Sequence, residues 1–133
     1  MAHMTIQYSG NLDTCLDMTA FCDAVRDAMV NTGLFPLAGI RVRAYPAAHY
    51  TIADGTKAFA FADLVCRIGL GRSKDQKAQM VDEIYSDLED WVKPRLTQVP
   101  FALSLEVVEI NYPFAEKRLN TIRAALQEDE TNV

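Results

Sequence analysis

Two stretches decide the fold: "GLFPLAGIRV" at residues 33–42 and "QVPFALSLEV" at residues 98–107. Each sets proline beside phenylalanine in a turn and then alternates apolar residues with the period of a strand. Each also follows a run with helical spacing. Met18, Phe21, Cys22, Val25 and Met29 precede the first, and Met80, Ile84, Leu88, Trp91 and Val92 precede the second. The chain therefore states one theme twice, a helix delivered through a turn into a strand.

Working outward, each helix has a strand ahead of it. "HMTIQYS" (3–9) precedes a helix over 18–31 that Gly33 is placed to stop, with "SGNLD" as the intervening turn. "LAGIRVRAY" (37–45) follows as the second strand, and "ADG" (53–55) marks a turn. "KAFAFADLVCRIGLG" (57–71) is a longer apolar strand suited to a sheet interior, ended by its glycines. Ser73 and Gln76 then form a capping box, and Pro94 stands where the second helix should stop. "FALSLEVVEI" (101–110) is the fourth strand, "AEKRLNTIRAALQ" (115–127) a weaker terminal helix, and the polar tail from about 127 to 133 is expected to be disordered.

The order is β-α-β-β-α-β, an α+β class with a four-stranded sheet. Right-handed crossovers place both helices on one sheet face. A bare apolar opposite face would exceed what soluble monomers tolerate, so self-association is the expected cover.

At 133 residues and 50% apolar, residues 1–133 make one domain with an ordinary core. A net charge of -5 argues against nucleic acid as a partner. No run approaches a membrane span and no leader precedes a cleavage site, which points to a cytoplasmic protein. Cys15, Cys22 and Cys66 make an odd count without a C-x-x-C pair, and His3 and His49 lie far apart, so neither a disulfide framework nor a metal site is signalled.

The informative charges are Arg41, Arg43 and Arg72. The first two lie two apart on a strand read as interior, where a pocket or an interface excuses the charge. Arg72 follows "IGLG" at a strand end, where glycines let a ligand approach the backbone. Guanidinium forks in such places suit carboxylates; for any one of them an interface ion pair is nearly as good a reading. Other chemistries lack material. No serine has a histidine at a recognisable spacing, and "GLGRS" lacks the lysine of a phosphate-binding loop. Glu106 and Glu109 fall on opposite strand faces, with Glu106 free to pair with an arginine, and Cys66 in an apolar strand reads as inert packing.

"TGLFPLAGIRVR" (32–43), the "ADG" turn with "AFAFADLVCRIGLGRS" (58–73), and "LSLEVVEI" (103–110) resemble the 5-carboxymethyl-2-hydroxymuconate isomerases of the tautomerase superfamily, over nearly the whole chain. The resemblance implies a homotrimer whose sheets enclose a barrel with helices outside. It implies an isomerase needing no cofactor, acting on a small dienol carboxylate, an unsaturated 2-hydroxy polycarboxylate from aromatic-acid breakdown. In that family the chain begins with proline, whose amine is the catalytic base. Arg41 and Arg72 stand where the family motifs place arginines that hold substrate carboxylates, with Arg43 as a further candidate.

Family members typically begin Met-Pro-His with Ser-x-Asn further on, and "MAHMTIQYSGN" keeps His3, Ser9 and Asn11 in ungapped register. Ala2 thus occupies the proline position as the candidate catalytic residue. Either the proline was replaced, which the register favours, or "MAH" is a cloning remnant ahead of a native "MTIQYSG". With Met1 retained the amine lies one residue beyond its place, and activity would be impaired. The rival reading is a non-catalytic trimer that binds small anions through the same arginines.

Overall fold

The computed structural model describes residues 1–111 and 113–131, with side chains through Gln127. Four strands, β1 (Ala2–Ser9), β2 (Ile40–Ala47), β3 (Ala60–Ile68) and β4 (Phe101–Glu109), form one sheet in the order β2-β1-β3-β4. β1 runs parallel to β2 and antiparallel to β3, and β3 runs parallel to β4. Two crossover units thus meet along their first strands, the doubled theme of the sequence.

The crossover helices are α1 (Met18–Asn31) and α2 (Lys74–Val92). The Asp17 side chain accepts the Ala20 N–H at 3.0 Å to start α1, and Gly33 takes a φ of +72° just beyond its end, a backbone state that suits glycine. Both halves of the Ser73–Gln76 capping box are made, at 2.9 and 3.1 Å. Both helices lie on the same sheet face. Phe21 of α1 stacks on Trp91 of α2 with ring centroids 5.6 Å apart, and beneath them Met4, Ile6, Leu64, Cys66, Ile68, Met80, Ile84 and Leu88 are fully buried or nearly so. Alternation along β1 and β3 sends every second residue into this layer.

Four expectations need correction. β2 is an edge strand, not interior, so Arg41 and Arg43 are half-buried at the side of the sheet. β2 and β3 are shorter than their apolar runs: residues 37–39 form a 3-10 turn, and the third strand starts only at Ala60. The open sheet face is also not apolar. Rows read across the strands are Arg41, His3, Arg67, Val108; then Arg43, Thr5, Val65, Glu106; then Tyr45, Gln7, Asp63, Ser104. The apolar residues of β3 that suggested a bare greasy face point instead at the helices. Finally, α3 spans Ile122–Thr131, later than the apolar spacing predicts, because the Asn120 side chain accepts the Ile122 N–H at 2.9 Å and starts the helix there. Its backbone carries residues 127–131, read from sequence as disordered tail, while residues 132 and 133 lie outside the described ones.

Candidate active site

The site grows from the start of β1. Ala2 is paired between Ile40 and Ile68, and its methyl group is buried on the helix side. The free amine therefore belongs to Met1, just outside the sheet. It lies against the turn Leu37–Gly39: a Cβ on Gly39 would stand 3.4 Å from the Met1 nitrogen and Cα. The glycine of "FPLAG" thus brings the turn to within van der Waals reach of the amine.

The arginines hold that turn and the residues leading into it. Arg72 follows Gly71, whose φ of +115° requires glycine, and its Nη2 donates to the Leu34 carbonyl at 2.9 Å while its guanidinium lies over the Phe35 ring, 5.4 Å from the centroid. Arg41 Nη1 donates to the Ala38 carbonyl at 3.4 Å, a long bond that leaves most of its donors free. Both charges act on the Met1 amine. Burial first, then the charges of Lys117, Arg72 and Arg41, hold its pKa below the usual 8.0.

Arg43 is elsewhere. Its Nη1 meets His3 Nδ1 at 2.9 Å on the open sheet face, and His3 Nε2 reaches the Met1 sulfur at 2.7 Å. Donation from Arg43 requires a lone pair on Nδ1, so the imidazole is neutral with its proton on Nε2. Burial and the guanidiniums of Arg43, Arg67 and Arg41 lower the His3 pKa in the same sense. Of the four residues singled out in the sequence, Ala2, Arg41 and Arg72 thus come together around the chain's start, and Arg43 joins the edge of the group through His3.

A cavity of about 610 Å³ opens beside the amine, lined by Met1, Gly69, Leu70, Gly71, Ile110 and the segment from Pro113 to Lys117. Its size suits a small organic ligand. A depressed-pKa amine beside apolar walls and several cations is equipped to move a proton on an anionic substrate: the amine as base, the cations holding carboxylates and developing charge. Among the described residues no group of three or more His, Cys, Asp or Glu is placed to hold a metal ion.

The sequence reading missed Lys117 and the role of His3. Lys117 falls in the stretch read as the terminal helix, where nothing marks it as facing a site. His3 was visible only as a register point, although alternation along β1 puts it beside Arg41 and Arg67.

The sequence model of 5-carboxymethyl-2-hydroxymuconate isomerase matches residues 2–126. The chain is 27% identical over 124 residues to the 5-carboxymethyl-2-hydroxymuconate Delta-isomerase of Escherichia coli, covering 93% of this chain and 98% of that one. A crystal structure of a 5-carboxymethyl-2-hydroxymuconate delta-isomerase superposes with a TM-score of 0.86 at 33% identity, covering 96% of this chain and 93% of that one. A 5-carboxymethyl-2-hydroxymuconate isomerase from Deinococcus radiodurans R1 gives 0.82 at 29% identity, covering 94% and 93%. An amine held among arginines at the head of a doubled β-α-β sheet is thus accompanied by similarity along nearly the full length, and the chain belongs to the 5-carboxymethyl-2-hydroxymuconate isomerase family of the tautomerase superfamily, as an enzyme of the isomerase type.

Proposed function

We propose that this isomerase converts an unsaturated 2-hydroxy polycarboxylate of the 5-carboxymethyl-2-hydroxymuconate type from enol to keto form, without a cofactor, in the breakdown of aromatic acids. The observation that carries the reading is that the start of the chain opens on the cavity and lies against the Leu37–Gly39 turn, with Arg41 and Arg72 bonded to that turn and the residues before it. The neutral amine takes the proton of the 2-hydroxyl oxygen and returns it to a carbon of the conjugated chain, so no net proton is consumed. Arg41 and Arg72 hold carboxylates and stabilise the dienolate charge between the two transfers, and Arg43 supports them through His3.

The working amine is that of position 2, exposed once Met1 is removed. Met1 in place sets the amine one residue further out, so the chain starting at Met1 is a slower catalyst than one starting at position 2.

A homotrimer fits the open sheet face. Arg41, Arg43 and Arg67 make one part of it basic, and Asp63 and Glu106 make another part acidic. Such a split favours head-to-tail contact between copies, and a ring of three closes both sheet edges. A reducing cytoplasmic setting suits the three free thiols of Cys15, Cys22 and Cys66.

The test is ketonisation of 5-carboxymethyl-2-hydroxymuconate followed by absorbance, with Arg41→Ala and Arg72→Ala alongside. Turnover that falls at least about tenfold in both variants, each still folded, supports the reading, since a lost charge-assisted contact costs about that much. Full rates in both sink it.

A further inference from the structure

The C-terminal segment is the part of the chain that the isomerase reading leaves without a role. After β4 it does not run away from the domain. Pro113, Ala115, Glu116 and Lys117 wall the cavity beside Met1, and α3 then packs on the turn Leu37–Gly39 that backs the amine. Residues 113–117 thus wall the site between β4 and α3. Glu116 is turned to its own neighbours, its carboxylate accepting the Lys117 N–H at 2.9 Å and approaching the Arg118 Nε at 3.4 Å.

We propose that Lys117 is a third substrate-binding cation of this site, taking the carboxylate of a tricarboxylate substrate that Arg41 and Arg72 leave free. The proposal rests on the isomerase reading and names its substrate class more narrowly. Two arginines fixed to the turn at 34–38 are matched to two carboxylates, whereas 5-carboxymethyl-2-hydroxymuconate carries three. A flexible ammonium at the opening can follow a carboxymethyl branch. Lys117 also acts on the amine at the chain's start, its charge coming next after burial among the causes that lower the Met1 pKa. The other charges facing that amine are Arg72 and Arg41, with the neutral His3 ring against the Met1 side chain and Glu116 on the cavity wall. The positive charge of Lys117 disfavours protonation of that amine, so Lys117 helps keep it neutral.

The experiment compares kcat/KM for 5-carboxymethyl-2-hydroxymuconate and for 2-hydroxymuconate, which lacks the carboxymethyl branch, in the wild-type chain, Lys117→Met and Lys117→Arg. At pH 9 the amine is neutral in all three, so the ratio of the two rates reads carboxylate binding alone. The ratio should fall about tenfold in Lys117→Met, the low end for a contact to a charged group because Lys117 is exposed, and largely return in Lys117→Arg. The acid limb of the kcat/KM profile should also move to higher pH in Lys117→Met. An unchanged ratio with wild-type turnover overturns the role of Lys117 and leaves the isomerase reading standing. Where the wild-type chain binds both compounds without turning them over, that reading falls, and the ratio of dissociation constants scores Lys117 by the same criterion. Binding of neither compound overturns both.

Discussion

Arg72→Ala separates the brace that the structure shows for this side chain from the substrate contact proposed for it. Arg72 donates to the Leu34 carbonyl at 2.9 Å and covers the Phe35 ring, and both interactions vanish with the guanidinium. A hydrogen bond from a charged donor at a half-buried position contributes about 1 kcal/mol, and the cation over the ring about 0.5–1 kcal/mol. The stability cost is therefore about 1.5–2 kcal/mol. For a domain of 133 residues the unfolding entropy near the midpoint is about 0.28 kcal/mol per degree, so Tm should fall by about 5–7 °C. A domain of ordinary stability survives that at 25 °C and stays folded.

Turnover should suffer more. Loss of a substrate carboxylate contact together with stabilisation of the dienolate costs about 3 kcal/mol, a hundredfold or more in kcat/KM. Arg72→Lys, which keeps the charge but not the fork, should recover part of the rate and less of the Tm. Thermal unfolding followed by Trp91 fluorescence, beside the absorbance assay, reads both quantities. A Tm within a degree of wild type would refute the brace on the 34–38 turn. A rate loss under tenfold would refute the role of Arg72 in holding substrate.

Four further outcomes follow from the same geometry. Phe21→Ala removes a fully buried ring stacked on Trp91 and should cost about 3–5 kcal/mol, measured by urea unfolding. Ser73→Ala deletes the accepting half of the capping box of α2 and should cost about 1 kcal/mol by the same measurement. Because burial and three guanidiniums hold the His3 pKa below 6.5, the native state binds fewer protons than the unfolded one, so stability should drop as pH falls through about 6.5 and level off below the native pKa. His3→Gln should flatten that slope; an equal slope in both proteins would contradict the assignment. Cys66 is fully buried and its thiol is pushed up to about 11, so at pH 8 it should react with a thiol reagent only on unfolding, as peptide mapping of the labelled chain would show.

The layout was legible because two kinds of signal agreed. Helical spacing bounded by Gly33 and by the Ser73–Gln76 box fixed α1 and α2, and alternation fixed the faces of β1 and β4. Strand order was not legible, since register depends on pairing partners far apart in the chain; this is why β2, rich in apolar residues, was read as interior. The same limit misjudged the open face. Only the register shows that Arg41, Arg43, Arg67, Asp63 and Glu106 share that face.

At the site, Arg41 and Arg72 were marked by charge in apolar surroundings, and the structure places both around the start of the chain. Position 2 was marked only by resemblance. Its backbone is committed to the sheet and its methyl to the core, so the amine now present is that of Met1. Lys117 could not be singled out among the surface lysines, because what distinguishes it is the fold-back of residues 113–117 over the cavity.

The most direct test of amine catalysis is the pH dependence of 5-carboxymethyl-2-hydroxymuconate ketonisation by a chain carrying Ala2→Pro and processed to begin at that proline, beside the chain beginning at Met1. The proline start should turn over faster, with activity lost on the acid side as the amine is protonated, because it puts a secondary amine at the position proposed for the base. Equal rates in the two chains, or activity that persists when the amine is acetylated, would contradict it.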